Sequence, residues 1–166
     1  MPLVAQMLHT DVSLGSNAPS LPYCLALMSL VKDVERIGDY AKNIVEVVDF
    51  SPGPLPDDDC VAELREIRTG VEQVFEATTQ VVDDSDLARA GDLIRQGREL
   101  VRRADTLVTR IARSDYGAST ASGPVLGARY YKRIGAHVLN VLSSVVMPLH
   151  KIDYYDEDAP TFGKPE

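Results

Sequence analysis

The sequence predicts an all-α protein, an antiparallel bundle of about four long helices. Three observations predict it. Apolar residues recur at alternating intervals of three and four along four stretches of the chain. Clusters of Pro, Gly, Ser and Asp that cannot continue a helix separate those stretches. No window of useful length alternates with period two, as a half-buried strand would require.

The first long helix carries its inward seam at Leu27, Leu30, Val34, Ile37, Ala41, Ile44 and Val48, a pattern of coiled-coil or bundle type. Ser20 and Pro22 mark its start as a cap and a first-turn proline, and the Ser-Pro-Gly-Pro-Leu-Pro run ending at Pro56 stops it. Its length is about 28 residues, or roughly 42 Å. A second helix begins at Asp57, Asp58 and Asp59, whose carboxylates suit both a cap and the positive end of a helix dipole. Its inward stripe is Val61, Leu64, Ile67, Val71, Val74, Phe75, Thr78 and Val81. After the turn Asp83, Asp84, Ser85, a third helix turns Leu87, Ala90, Ile94, Val101, Ala104, Val108 and Ile111 inward; so short a link makes the pair antiparallel. Tyr116 to Pro124 reads as a loop by composition, and a fourth helix runs from about Val125 to His150, with Tyr131, Ile134, Val138, Val141, Val145 and Leu149 inward. Pro148 is expected to kink or end it. Met1 to His9 suits a short helix, Thr10 to Pro19 a loop, and residues 153–166 a flexible acidic tail.

Of the 166 residues, 25 are Asp or Glu and 17 are Lys or Arg, a net charge of −8. That balance opposes binding to nucleic acid or to an anionic membrane surface. No stretch approaches the ~20 apolar residues of a membrane span, so no membrane insertion is expected. The apolar run Tyr23 to Val31 lacks the basic leader of a signal peptide, and Cys24 and Cys60 form neither a disulfide framework nor a thiolate zinc spacing. A cytoplasmic location follows as the expectation.

The chain contains an internal repeat. Residues 35 to 44, Glu-Arg-Ile-Gly-Asp-Tyr-Ala-Lys-Asn-Ile, recur as residues 132 to 141, Lys-Arg-Ile-Gly-Ala-His-Val-Leu-Asn-Val, displaced by 132 − 35 = 97 positions. Arg36, Ile37, Gly38 and Asn43 match Arg133, Ile134, Gly135 and Asn140 identically. The fuller block Lys-Asp-Val-Glu-Arg-Ile-Gly-Asp-Tyr-Ala-Lys-Asn-Ile, residues 32 to 44, closely resembles the signature of the PhoU family of phosphate-uptake regulators, over roughly Leu21 to Val146. The resemblance implies two three-helix units: a partial first unit over residues 1–56, with its signature helix at about 21–49, and a second over 57–152. It also implies a role in phosphate transport or its signalling, with iron or zinc held by the Glu-x-x-x-Asp carboxylates. The second copy has Lys132 and Ala136 where carboxylates belong.

Glu35 and Asp39, four apart, project from one helix face. Oxygen donors of this kind suit a hard or borderline cation, but two cannot fill its shell, so other ligands must come from another helix or another chain. By resemblance Asp105 is the foremost remote donor, with Asp33, Asn43 and His137 after it. The bland alternative is a solvated face on which Glu35 or Asp39 pairs with Arg36, Lys32 or Lys42. Gly38 and Gly135 each cost ~1 kcal/mol in a helix interior and therefore predict close approach of another helix.

No Glu-x-x-His pair, zinc-protease motif, nucleophile elbow, Walker loop or dinucleotide fingerprint occurs, so no enzyme is expected. Arg95, Arg98, Arg102, Arg103, Arg110 and Arg113 read as a solvated surface. What the resemblance implies is a regulator that binds phosphate transporter components or a sensor kinase. The alternatives are a metal-free helical adaptor and a metal-binding bundle unconnected to phosphate. A long helix with a full apolar seam cannot stay exposed, so either the four helices close into one bundle or the chain dimerises; because the repeat arrangement calls for six helices, a homodimer is expected.

Overall fold

Four α-helices occupy the residues that the computed structural model describes, 21–49 and 53–146: α1 (Leu21–Asp49), α2 (Asp59–Asp84), α3 (Leu87–Ala112) and α4 (Ala118–Val146). No strand occurs among the described residues. The expectations for Met1 to His9, Thr10 to Pro19, Pro148, Leu149, His150 and the 153–166 tail lie outside them.

Carboxylates set the starts of α2 and α3. Asp58 takes an extended backbone, and its Oδ1 accepts from the Cys60 and Val61 amides at 2.9 and 3.1 Å. Asp86 does the same for α3, accepting from the Arg89 amide at 2.9 Å. Between them Ser85 adopts the left-handed conformation at φ 52°, so that its amide and that of Asp86 can reach back to the last carbonyls of α2. This two-residue reversal makes α2 and α3 antiparallel.

The fourth helix starts seven residues earlier than its sequence suggested. Pro124 lies inside α4, fully buried, rather than ending a loop. A proline there removes only its own amide bond to the fourth residue before it. Thr120 and Ala121 donate to the Gly117 carbonyl at 3.0 Å and Ser122 Oγ to the Ala118 carbonyl at 2.7 Å, which anchors the first turn. Two other expectations fail at single residues: Phe75 and Leu87, read as inward, are 49% and 61% exposed.

The core is aliphatic and lies among α2, α3 and α4, around Ile67, Val71, Leu107, Ile111, Val138 and Leu142. Two glycines let the helices close on one another. A Cβ at Gly70 would sit 2.6 Å from Leu100 Cδ2, and one at Gly97 2.6 Å from Leu139 Cδ2, so each helix approaches its neighbour where no side chain intervenes. Arg103 ties α3 to α2 through Glu63 at 2.7 Å and Glu66 at 2.6 Å. These contacts hold the guanidinium above its already high range and draw the Glu63 carboxyl below the ordinary one.

α1 packs chiefly on α4, and this divides its apolar residues into two rows. Leu30, Asp33, Ile37, Tyr40, Ile44 and Val47 form the buried or half-buried row that meets α4. Leu27, Val31, Val34, Gly38, Ala41, Val45 and Val48 form an exposed row. The seam expected from the sequence therefore mixed the two: Leu30, Ile37 and Ile44 turn inward, whereas Leu27, Val34, Ala41 and Val48 turn outward. The physical reason is breadth, since a helix with one main neighbour among the described residues cannot bury apolar residues against them on two adjacent strips.

Candidate functional site

The repeated block lies where α1 crosses α4. Facing residues fall in number on α4 as they rise on α1, so the helices run antiparallel: Asp33 meets His137 and Tyr40 meets Tyr130. Under the 97-residue offset, Asp33 corresponds to Tyr130 and Tyr40 to His137. The two contacts are therefore equivalents of each other, and α1 and α4 pack about a local pseudo-twofold axis beside Ile37 and Ile134.

One end of this junction is polar. Asp33 is 1% exposed; its Oδ1 lies 2.6 Å from His137 Nδ1 and accepts from Asn140 Nδ2 at 3.1 Å. Its Oδ2 is buried without a hydrogen-bond partner. Tyr40 stacks on the His137 ring, with centroids 5.8 Å apart and planes at 20°. An ionised Asp33 can only accept, and the imidazole tautomer that matches it carries its proton on Nδ1 and donates to Oδ1. The arrangement links the two copies of the block through residues unlike in the two copies: an acid and an imidazole on one side of the axis, two tyrosines on the other.

The carboxylates of the signature lie elsewhere. Glu35 and Asp39 are exposed, and Asp39 Oδ2 is 3.9 Å from Arg36 Nη1, a surface ion pair of small worth. Asp33 lies on the opposite side of the row from Glu35, in the α4 contact. Asn43 is half-buried on α1. Asp105, on α3, is committed to α4: Lys132 Nζ is 2.5 Å from its Oδ2 and Arg129 Nη1 is 3.8 Å from its Oδ1. Lys132 holds the second copy's equivalent of Glu35, so an ammonium group there occupies Asp105. Of the nominated donors only Asp33 and His137 come together. Among the described residues no group of three or more His, Cys, Asp or Glu side chains could hold a metal ion.

Gly135 sits in a close contact, a Cβ there lying 3.3 Å from Val101 Cγ2 and 3.7 Å from Val71 Cγ2. At Gly38 a Cβ would meet nothing within 4 Å, so the expected helix contact is not made within the described chain, because no helix covers that side of α1. Asn140, Tyr40 and Tyr130 were not singled out from the sequence. The identity of Asn43 with Asn140 was the available signal for the first of these; nothing in spacing alone marked the tyrosines.

A further feature is an apolar groove among α1, α2 and α4, walled by Ile44, Val47, Leu64 and Tyr131 with Arg65 and Arg68. Burial pushes the Tyr131 hydroxyl above its ordinary range. No helix of the described residues is long and apolar enough to cross a membrane.

Comparison with known families matches residues 3–48 to the PhoU domain. The match includes the signature block on α1; the second copy, on α4, lies outside it. No curated protein and no solved structure matches the chain.

Proposed function

We propose that this chain is a non-enzymatic, cytoplasmic regulator of phosphate uptake and phosphate signalling, acting by binding a phosphate transporter component or a sensor kinase. The observation that carries this reading is the match of residues 3–48 to the PhoU domain. The recurrence of its block on α4 supports it, as does the apolar row that α1 offers for protein contacts. The test is phosphate uptake, with expression of phosphate-responsive genes, in cells that lack the protein. Loss of restraint under phosphate sufficiency, restored by the wild-type chain, is expected; unchanged uptake and expression refute the reading. Capture of a phosphate transporter component or of the kinase by the full chain, from phosphate-starved cells, then identifies the partner.

Glu35 and Asp39 are the proposed half-site for iron or zinc. Both are exposed and four residues apart, and the described residues of one chain do not fill a coordination shell, so the remaining donors come from another segment of the chain or from a second chain. Metal analysis of chelator-free protein beside a Glu35→Ala, Asp39→Ala variant decides it. Equal metal content in the two refutes the site. Absence of metal from both favours a second reading, a metal-free adaptor, for which the Lys132–Asp105 ion pair argues: a lysine already supplies the positive charge in the second copy.

A further inference from the structure

We propose that the groove among α1, α2 and α4 is a binding site for a single-chain amphiphile, its apolar chain held in the groove and its anionic head at Arg65 and Arg68. The proposal goes beyond the regulatory role above and does not rest on the link to phosphate.

Shape supplies the first argument. The groove has a volume of about 520 Å³ and a mostly apolar lining, which is the size and character of a small-molecule site. Val47 of α1 and Val61 and Leu64 of α2 are buried and give it fixed walls. Gly123 and Gly127 line it from α4, where no side chain intrudes. A Cβ at Gly127 would lie 3.5 Å from Leu64 Cδ2, an ordinary contact, so helix packing does not require this glycine as it requires Gly70 and Gly97. Shifted by 97, Gly123 and Gly127 correspond to Ala26 and Leu30 on α1. Side chains thus occupy these places in one copy of the repeat, and open space occupies them in the other.

Charge supplies the second and selects the occupant. The charged residues that line the groove are Arg65 and Arg68, three apart on one face of α2, in a chain whose net charge is −8. Arg65 Nη1 is 3.7 Å from Asp57 and Arg68 Nε 2.9 Å from Glu72, exposed pairs of small worth. A guanidinium has five N–H donors, so contacts of this kind leave capacity for an incoming anion. Burial raises the Tyr131 hydroxyl and the nearby charge of Arg68 opposes part of that rise, which makes the hydroxyl and the guanidinium neighbours at the groove. Guanidinium and hydroxyl donors beside an apolar cavity match a carboxylate or phosphate carried on an apolar chain. A neutral lipid leaves the guanidiniums uncontacted, and a cationic one is repelled.

Position gives the site a consequence. α1 packs chiefly on α4, and the groove lies where Ile44, Val47 and Val48 of α1 stand across from α2. A chain bound there fills the space between them and fastens the end of the signature helix to the rest of the bundle. Ligand that binds only the docked arrangement stabilises it by mass action. Amide exchange in α1 is therefore expected to slow when the groove is filled.

The test is isothermal titration of the full chain with decanoate. Saturable binding of one decanoate per chain is expected, about tenfold tighter than octanoate, which buries two methylenes fewer. Decanol, with the same chain and no charge, should bind about tenfold more weakly than decanoate. A variant carrying Arg65→Gln and Arg68→Gln, both at exposed positions, should keep the fold and lose that difference. Gly127→Leu extends a side chain into the groove from a Cβ that fits, so its melting temperature without ligand should be held while decanoate affinity falls at least tenfold. Gly127→Ala adds that Cβ alone and should weaken binding less. A free fatty acid and a single-chain phospholipid share this chemistry; decyl phosphate, titrated beside decanoate, tells the two sources apart by which binds more tightly. Absence of saturable binding of both overturns the proposal and leaves the groove to a protein segment. Equal affinity for decanol and decanoate overturns it as well. So does affinity unmoved by Gly127→Leu and by the double arginine variant, which would put the ligand on the exposed row of α1. None of these outcomes depends on phosphate uptake, so the two readings fail separately.

Discussion

Asp33 shows how a single charged residue is held in a helix contact. Its Oδ1 takes two donors, His137 and Asn140, while Oδ2 is buried without one. Asp33→Ala leaves both donors facing a gap and should cost about 2–4 kcal/mol of stability in urea unfolding. Asp33→Asn, which keeps an acceptor and the volume, should cost less than half of that. The sequence reading nominated Asp33 only as a secondary metal donor; its buried place follows from the Leu30, Ile37, Tyr40 row it shares, and its partner lies on a helix 104 residues away. Tyr116 is a second case. Its hydroxyl donates to the capping Asp58, which pushes the phenol up to about 12, and that same bond, ahead of the Val61 amide, holds the Asp58 carboxyl below its ordinary range. The sign follows. Folded Tyr116 stays neutral while the unfolded chain ionises near pH 10, so its contribution is whole below pH 10 and lost between pH 10 and about 12. The Asp58 contribution is whole above the ordinary aspartate value of 3.8 and lost as the pH falls through its lower folded value. Tyr116→Phe should shrink the alkaline decline, leaving the part that buried Tyr131 contributes, and shrink the acid one, as read by melting temperature across pH.

At the scale of elements, the glycines divide by what faces them. Gly38→Ala meets nothing and gains helix propensity, so the single chain, at concentrations too low for association, should be more stable by about 0.5–1 kcal/mol. Gly97→Ala drives a methyl to 2.6 Å from buried Leu139 and should lose about 1 kcal/mol net, overpacking outweighing the same propensity gain. Opposite signs in chemical denaturation check the pair. Three of the four helices were legible almost to the residue, because Asp58, Asp86 and the Pro52 to Pro56 run punctuate them chemically. The start of α4 was not, since Ala-Ser-Thr-Ala-Ser-Gly-Pro is loop-like in composition, yet it is helical with Pro124 buried within it. The seam of α1 was read as one row where two exist. Periodicity counts apolar residues but is silent on how many neighbours a helix has.

For the whole molecule, the bundle class was legible, whereas the way the copies of the block meet was not. The sequence displays the repeat as a displacement of 97; only packing turns that displacement into a pseudo-twofold axis, with Asp33 and Tyr130 as equivalents and with a face of α1 that no helix of the described residues covers. The candidate carboxylates Glu35 and Asp39 were placed on one helix face correctly by spacing. Their surroundings depend on chains and residues that spacing cannot see.

The attachment of α1 to α4 also has a kinetic meaning. α2, α3 and α4 are joined by short links, and their contacts are local, whereas Asp33 reaches across 104 and 107 residues to its donors. Local hairpins close quickly and long loops late, so α1 should dock last in folding and leave first in fluctuation. In native-state hydrogen exchange the amides of α1 should open as one cooperative unit at a free energy below that of α3, whose protection should track global unfolding. A helix that comes and goes as a unit makes Asp33 a clasp, and the strength of that clasp sets how often the signature helix is presented undocked.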